Sequence, residues 1–598
     1  PWGPRQPEPF FDHQTRIYQL ALTPGLRSPF QPDDELHSDD AKPADPKPAA
    51  AKSEAAKSDT PKPADAPKTP PIQITLVGLA GRIRVLPVPA GNYSDLSVNG
   101  SRLFWVRSES APGSTPALMG LDIGHEKIVP KLLVDGIQGY GLTPDGKNLL
   151  LHKGGDFYVL SAAGLLSLDD AKVDLSAWAF SITPREEWRQ MLVEAWRLER
   201  DYFYDRNMNG VDWPATLQRY LPLCDRVRDR AELNDLLGQM ISDLSALHMF
   251  VYGGDIRQGS DQIAPGSLGA ALVRDEAHGG FRVERLYHGD PDDPEHQSPL
   301  ALPGVDVAEG DVITTINGVD TLSVPDPAVL LRRQAGQQVL LHVWEKATHR
   351  LRDVVVTPIN SGQERDLQYT DWEVSRRQKT EMAGNGTIGY VHLRAMGADD
   401  IAQWARDFYP VFDRAGLIID VRHNNGGNID SWLLEKLMRK AWFFWQPRIG
   451  APSWNMQWAF RGHVVVLCDE WTASDGEAFT EGFRRLGLGK VIGTRTWGGE
   501  IWLSSDNGLV DNGIATAAET GVYGEESKWL IEGHGVDPDI VVDNRPHATF
   551  EGQDAQLDAA IAYLKGEIRL HPVPVPPAPA YPDKSGRPPH PAAIIKGG

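Results

Sequence analysis

From residue 386 onward, apolar runs and helical patterns take turns along the chain. GTIGYVHLRA, GLIIDVR, HVVVLCD and KVIGTRT each read as a strand, and helical stretches at 399–414, 429–440 and 475–486 fall between them. Alternation of this kind predicts α/β layering. An amphipathic helix at 554–564 follows, and then a Pro-rich tail.

Two strand ends in this region carry candidate chemistry. HVVVLCD runs through Glu470-Trp471-Thr472-Ala473 into Ser474-Asp475-Gly476-Glu477, where a helix opens. A strand–turn–helix context exposes a side-chain oxygen and aims free helix N–H groups at the same spot. Ser474 is thereby placed to attack a carbonyl, with the Asp475 N–H facing the oxyanion; a plain N-cap is the ordinary alternative for a serine there. The second strand end is Asp420-Val421-Arg422-His423-Asn424-Asn425-Gly426-Gly427-Asn428. Adjacent glycines let backbone N–H groups approach a ligand, so Gly427 offers a second oxyanion donor, or else an ordinary turn. A serine nucleophile also needs a base. His248, read as the end of a helix in Leu244–His248 before the loop 251–255, is the candidate, against a capping or packing role. Glu532, in the glycine-rich EGHGVDPD, is the candidate carboxylate to hold it, against a plain turn.

The rest of the chain divides by composition and period. Residues 1–37 contain one strand-like run, TRIYQLAL, read as isolated. Residues 38–72 are almost wholly Ala, Pro, Lys, Asp and Ser, a linker that cannot bury enough apolar area to offset its ordering entropy. Residues 73–170 hold short β runs about ten residues apart with turns such as Thr143–Lys147, the pattern of β-propeller blades or of a small sandwich. Residues 171–258 are helical, opened by Thr183-Pro184-Arg185-Glu186 with Pro at the first helical position. Residues 259–358 form a β-rich module with Gly310-Asp311-Val312-Ile313, a turn at Asn317-Gly318 and a helical VLLRRQAG. This series resembles a PDZ domain with a loop expanded around 291–299, a module that receives extended chains by strand addition. Residues 359–570 are the α/β unit and 571–598 the Pro-rich tail. The fold class is therefore multidomain α+β: a partial propeller, a helical segment, a PDZ-like domain and an α/β core.

Composition removes several function classes. With 60 basic and 81 acidic residues the net charge is −21, which argues against nucleic-acid binding. Two cysteines, Cys224 and Cys468, exclude a disulfide scaffold and a Cys-rich zinc module. The 17 histidines lack metal-ligand spacing, no P-loop or GxGxxG unit occurs, and no apolar run approaches the ~20 residues of a membrane span. No cofactor or metal is expected.

The order of helical segment with His248, PDZ-like module, DVRHNNGG, TASDGEAF and EGHGVDPD resembles the C-terminal half of the tricorn protease family over 183–570. The resemblance implies a serine peptidase acting on oligopeptides, with Ser474 as nucleophile, His248 as base, Glu532 as orienting carboxylate, and Gly427 and Asp475 as oxyanion donors. Related tail-specific proteases use a Ser–Lys pair, and Gly499 stands where their lysine would be. The resemblance further implies a ring-like homo-oligomer, with a hexamer as the count to test. A cytoplasmic location is expected, with a periplasmic one as the alternative, since related chains occur with and without export signals. The start at Pro1 is read as a cut inside a longer, propeller-bearing protein. One departure is Leu247, where the family has a serine linking glutamate to histidine; a peptide-binding scaffold without full activity is the corresponding alternative. A second is the absence of the family's acidic specificity residue between Gly426 and Ser474. Trp442, Phe443, Phe444 and Trp445 lie there instead, which suggests an apolar P1 preference.

Overall fold

The computed structural model describes residues 12–32, 73–110, 114–126, 128–163, 167–259, 261–294, 296–503, 507–582 and 584. The expected linker at 38–72 lies outside them, as does most of the tail beyond 582. The chain forms two compact units, divided between Ser181 and Ile182.

The first unit is all β. The run at 15–22 is not isolated, because β1 (Tyr18–Leu20) pairs antiparallel with β2 (Ile83–Val85). Strands β3 (Asn92–Val98), β4 (Arg102–Ser108), β5 (Ala117–Asp122) and β6 (Lys131–Asp135) make a four-stranded antiparallel meander. A three-stranded one follows from β7 (Gly139–Leu142), β8 (Asn148–Lys153) and β9 (Asp156–Ser161). Alternate residues of β4 enter different cores: Phe104 and Val106 pack with Leu149 and Leu151, whereas Leu103 and Trp105 pack with Ile17 and Leu86. Among the described residues these meanders do not close into a ring of blades.

The second unit starts with α1 (Pro184–Tyr202), α2 (Trp213–Tyr220) and α3 (Arg230–Ser242). Pro184 opens α1 at a position where its missing N–H costs nothing. Helix α3 ends at Ser242, six residues earlier than the apolar spacing suggested. Ser245 (φ 50°) and His248 (φ 65°) are left-handed, so His248 lies on a loop, ahead of β10 (Val251–Gly253).

The PDZ-like module holds β11 (Ala270–Asp275), β12 (Gly280–Leu286), β13 (Val312–Ile316), β14 (Val319–Asp320), β15 (Val339–Glu345) and β16 (Arg350–Val356). They are ordered 11-12-13-15-16, with β14 beside β13. The predicted helix in VLLRRQAG is absent; a single 3-10 turn covers Pro327–Val329. Left-handed backbone at Arg333 and Gly336 stops it from continuing.

Helix α4 (Ser361–Gly384) leads into a five-stranded sheet of β17 (Ile388–His392), β18 (Gly416–Asp420), β21 (His463–Cys468), β22 (Lys490–Gly493) and β24 (Ile540–Val541), every pairing parallel. Helices α5 (Ala398–Phe408), α6 (Asp430–Met438) and α7 (Asp475–Arg485) cover one face, through Trp404, Leu433 and Phe479 against Ile419 and Val466. The other face takes α9 (Ala555–Leu570), with Leu557, Ile561 and Leu564 against Ile418 and Val465. A short hairpin, β19 (Phe444–Trp445) and β20 (Ser453–Trp454), lies between α6 and β21, β23 (Gly513–Ala515) pairs with β10, and a short α8 (Pro546–Phe550) precedes α9. The loops leaving β18, β21 and β22 lie at the carboxyl ends of parallel strands, where α/β sheets bind ligands.

The helical segment shares a core with the α/β part. Leu192, Leu237 and Leu244 pack with Ile501, Leu509 and Ala518, and a buried Arg230–Asp511 ion pair (2.5 Å) adds to the β10–β23 pairing. Among the described residues, no helix is long and apolar enough to cross a membrane.

Candidate active site

Ser474 sits between β21 and α7 with φ 54° and ψ −129°. That backbone region is costly for a residue with a Cβ and persists only where its surroundings enforce it. An N-cap normally lies in the β region and spends its hydroxyl on the helix amides. Ser474 does neither: it makes no side-chain cap bond. Two neighbours hold it. Its N–H donates to Glu477 Oε2 (3.2 Å), and its side chain lies against Gly426, where an added Cβ would collide with Ser474 Cβ.

The glycine turn is fixed as tightly. Met396 N–H donates to Gly426 O and Asn428 N–H to Met396 O, both at 2.8 Å, and a Cβ on Gly427 would strike the Met396 carbonyl. Asp475 joins this turn to the nucleophile helix, its Oδ2 accepting from Ile429 N (2.6 Å) and Asp430 N (3.1 Å). Burial, reinforced by the nearby Asp430 carboxyl, pushes Asp475 up to about 7. Gly427 is exposed. Neither its N–H nor that of Asp475, the first residue of α7, finds a backbone acceptor among the described residues.

His248 is 6% exposed, with Phe250 and Trp497 around its ring. Its imidazole makes one hydrogen bond among the described residues, from Nδ1 to the Ile501 carbonyl at 2.6 Å. A carbonyl only accepts, so Nδ1 carries a proton, and in the neutral imidazole the lone pair is then on Nε2. Glu532 makes no hydrogen bond to the ring. Its Oε1 accepts from Leu247 N (2.8 Å), and its Oε2 from Glu500 N (2.9 Å) and Ile501 N (3.2 Å). With Leu247 unable to relay a hydrogen bond through its side chain, the candidates to hold the ring are Ser245 and Glu532 itself; Glu532 instead bonds the backbone at Leu247 and Ile501. No hydrogen bond joins Ser474 Oγ to His248 Nε2 in this structure. In a substrate-free site such contacts are often long and tighten on binding.

Sequence reasoning read the run 493–500 only for Gly499 in the place of a lysine and missed that 496–501 bonds to Glu477 beside the serine and, through Ile501 O, to His248. Glu477, fully buried, accepts from Thr496 Oγ1 (2.5 Å), Gly498 N (2.7 Å) and Gly499 N (2.8 Å) as well as from Ser474 N. The only available signal was Glu477 at the third position of a helix, which reads as an ordinary capping residue. Below the site, Arg422 is buried between Asp420 and Asp554 and pins the end of β18 to the start of α9. Among the described residues, no cluster of His, Cys, Asp and Glu has the make-up of a metal site.

Three family descriptions match the chain in order: the Tricorn protease C1 domain over 184–242, the Tricorn protease PDZ domain over 266–361, and Peptidase family S41 over 387–542. The chain belongs to the tricorn protease family. Tricorn protease homolog 1 of Streptomyces coelicolor is 34% identical over 531 residues, 85% of this chain and 49% of that protein. Tricorn protease of Thermoplasma acidophilum is 30% identical over 384 residues, 64% of this chain and 35% of that protein. A crystal structure of the tricorn protease superposes with a TM-score of 0.76 at 25% identity, covering 84% of this chain and 49% of that one. The chain thus spans about half the length, or less, of these tricorn relatives.

Proposed function

We propose that the chain is a serine peptidase that hydrolyses short peptides through an acyl-enzyme. Ser474 attacks the scissile carbonyl while His248 Nε2 takes its proton and later gives it to the leaving amine. The Gly427 and Asp475 N–H groups receive the oxyanion, a contribution of about 3–4 kcal/mol per donor in acyl transfer. Water then releases the acyl group by the same route. Glu532 acts at one remove, holding the backbone on both sides of the imidazole. The observation that carries this reading is the strained backbone of Ser474, whose hydroxyl is not used as a cap. The fixed tautomer of His248 supports it, because Leu247 supplies its backbone N–H where the family supplies a side chain.

The substrate reading is oligopeptides, with the exposed aromatic hairpin around Trp442 and Trp445 as the surface for an apolar P1 side chain. Comparable hydrolysis of peptides with Lys and Phe at P1 overturns that preference alone. The assembly reading is a ring-like homo-oligomer, tested by light scattering. For the chemistry itself, Ser474→Ala is compared with wild type on fluorogenic peptides. A loss of about 10³-fold or more in kcat, with an unchanged circular dichroism spectrum, is expected. Activity within a few-fold of wild type refutes the assignment.

A further inference from the structure

The segment 496–501 is clamped by two carboxylates, Glu477 from α7 at its first half and Glu532 at its second. Both oxygens of each accept hydrogen bonds from N–H or hydroxyl donors. Thr496 Oγ1 itself accepts from Val536 N, so its own proton goes to Glu477. Each carboxyl thus has both oxygens engaged as acceptors, an arrangement that suits a carboxylate.

Between the clamps lies Glu500. Its side chain belongs to a residue 2% exposed, and Oε2 is buried without any hydrogen-bond partner among the described residues. The charged groups that act on it most strongly are acidic: Glu477 and Asp475 from α7, Asp430 from α6, and Glu532 from the turn before β24. Burial first, and these four carboxyls second, push Glu500 up to about 9. An ionised Glu500 would repel both clamping carboxylates and would sit in the interior, which is far more costly than a neutral carboxyl.

We propose that Glu500 is a positioning residue, an uncharged carboxyl that lets the segment 496–501 seat between its two clamps and so holds the Ile501 carbonyl against His248. Loss of the Glu500 proton unseats the segment and releases the imidazole from its orientation. The catalytic consequence rests on the peptidase reading; the seating itself does not.

The experiment compares wild type with Glu500→Gln, which keeps the shape and cannot ionise. The first readout is kcat/KM on one fluorogenic peptide from pH 6 to 10. Wild type is expected to fall about tenfold per pH unit once Glu500 ionises. In Glu500→Gln the ratio of kcat/KM at pH 10 to that at pH 7 stays within about threefold of unity. An alkaline fall that is the same in both proteins overturns the proposal. Glu500→Met, equally unable to ionise, is expected to show the same flattening and serves if the glutamine variant does not fold. The second readout is the melting temperature at pH 6 and pH 9.5. The variant is expected to gain on wild type as the pH rises, and parallel curves overturn the seating role. If wild type cleaves no peptide at any pH, the peptidase reading falls, and the melting comparison still decides the role of Glu500.

Discussion

Glu199 offers a stability test with a sign and a size. It lies on α1 and is fully buried, as are Met191, Leu192 and Ala195 of the same helix, and among the described residues neither of its carboxyl oxygens has a hydrogen-bond partner. Burial, with the nearby Glu519 carboxyl adding to it, lifts Glu199 from 4.5 to about 8. The folded protein therefore binds a proton at neutral pH that the unfolded chain has released. Stability from this residue is complete below pH 4.5, falls as the pH rises from there to about 8, and is constant above. The slope is about 1.4 kcal/mol per pH unit, so at pH 7 the loss is roughly 2.5 units' worth, or about 3 kcal/mol. Glu199→Gln removes the ionisation while keeping shape and an unsatisfied polar tip. It is expected to stabilise the second unit by about 3 kcal/mol at pH 7 and by less than about 1 kcal/mol at pH 5. For a body of this size that is roughly 3–6 °C in Tm at pH 7. Tryptophan fluorescence and circular dichroism during thermal or urea unfolding at the two pH values give the comparison. An equal shift at both pH values, or none at pH 7, refutes the reasoning, because Glu199 would then be ionised and compensated in the native state.

Two further substitutions probe how the base is held. Glu532→Gln leaves one acceptor oxygen for three N–H donors, so the Leu247 and Ile501 backbone loses part of its support. A fall in kcat of about 10²-fold with KM nearly constant is expected from steady-state kinetics, and a change confined to KM contradicts it. Arg230→Met leaves Asp511 buried without its partner at the junction that ties α3 to the loop before β23. A cost of about 3–5 kcal/mol is expected from urea midpoints, and a variant as stable as wild type contradicts the pairing.

Which parts of the fold were legible follows from where their constraints lie. The strands of the parallel sheet are readable because burial on both faces makes each a short apolar run, as in Gly416–Asp420 and His463–Cys468. Helix α4 was not, although it is 24 residues long, since its buried positions include Asp371, Glu373 and Thr380 rather than an apolar stripe. The end of α3 was misjudged for the opposite reason. Leu244 is buried and extends the apolar spacing past Ser242, while the backbone has already turned left-handed at Ser245. Ser474 and Gly427 could be singled out from the sequence because each lies in a local feature, a turn at the end of a strand. Glu477, Glu500 and Ile501 were not, because their roles arise from contacts that only folding creates; Ile501 and His248 are 253 positions apart.

Leu247 makes the same point about chemistry. Read as a side chain, it removes a hydroxyl from the chain of contacts between glutamate and histidine, which favours a site that no longer works. In the folded protein Leu247 donates its backbone N–H to Glu532, and the carbonyl that orients His248 comes from Ile501, whose own N–H is held by the same carboxylate. Backbone groups are present whatever the side chain, so this arrangement leaves no residue signature to find. It does require the segment 496–501 to lie close to the histidine loop, and the Cβ position of Gly499 against Leu247 leaves little room for movement. The tautomer of His248 is thus set by the seating of a neighbouring loop rather than by a triad side chain. On the peptidase reading, that moves control of the base to the carboxylates that clamp the loop and, under the proposal made above, to Glu500 between them.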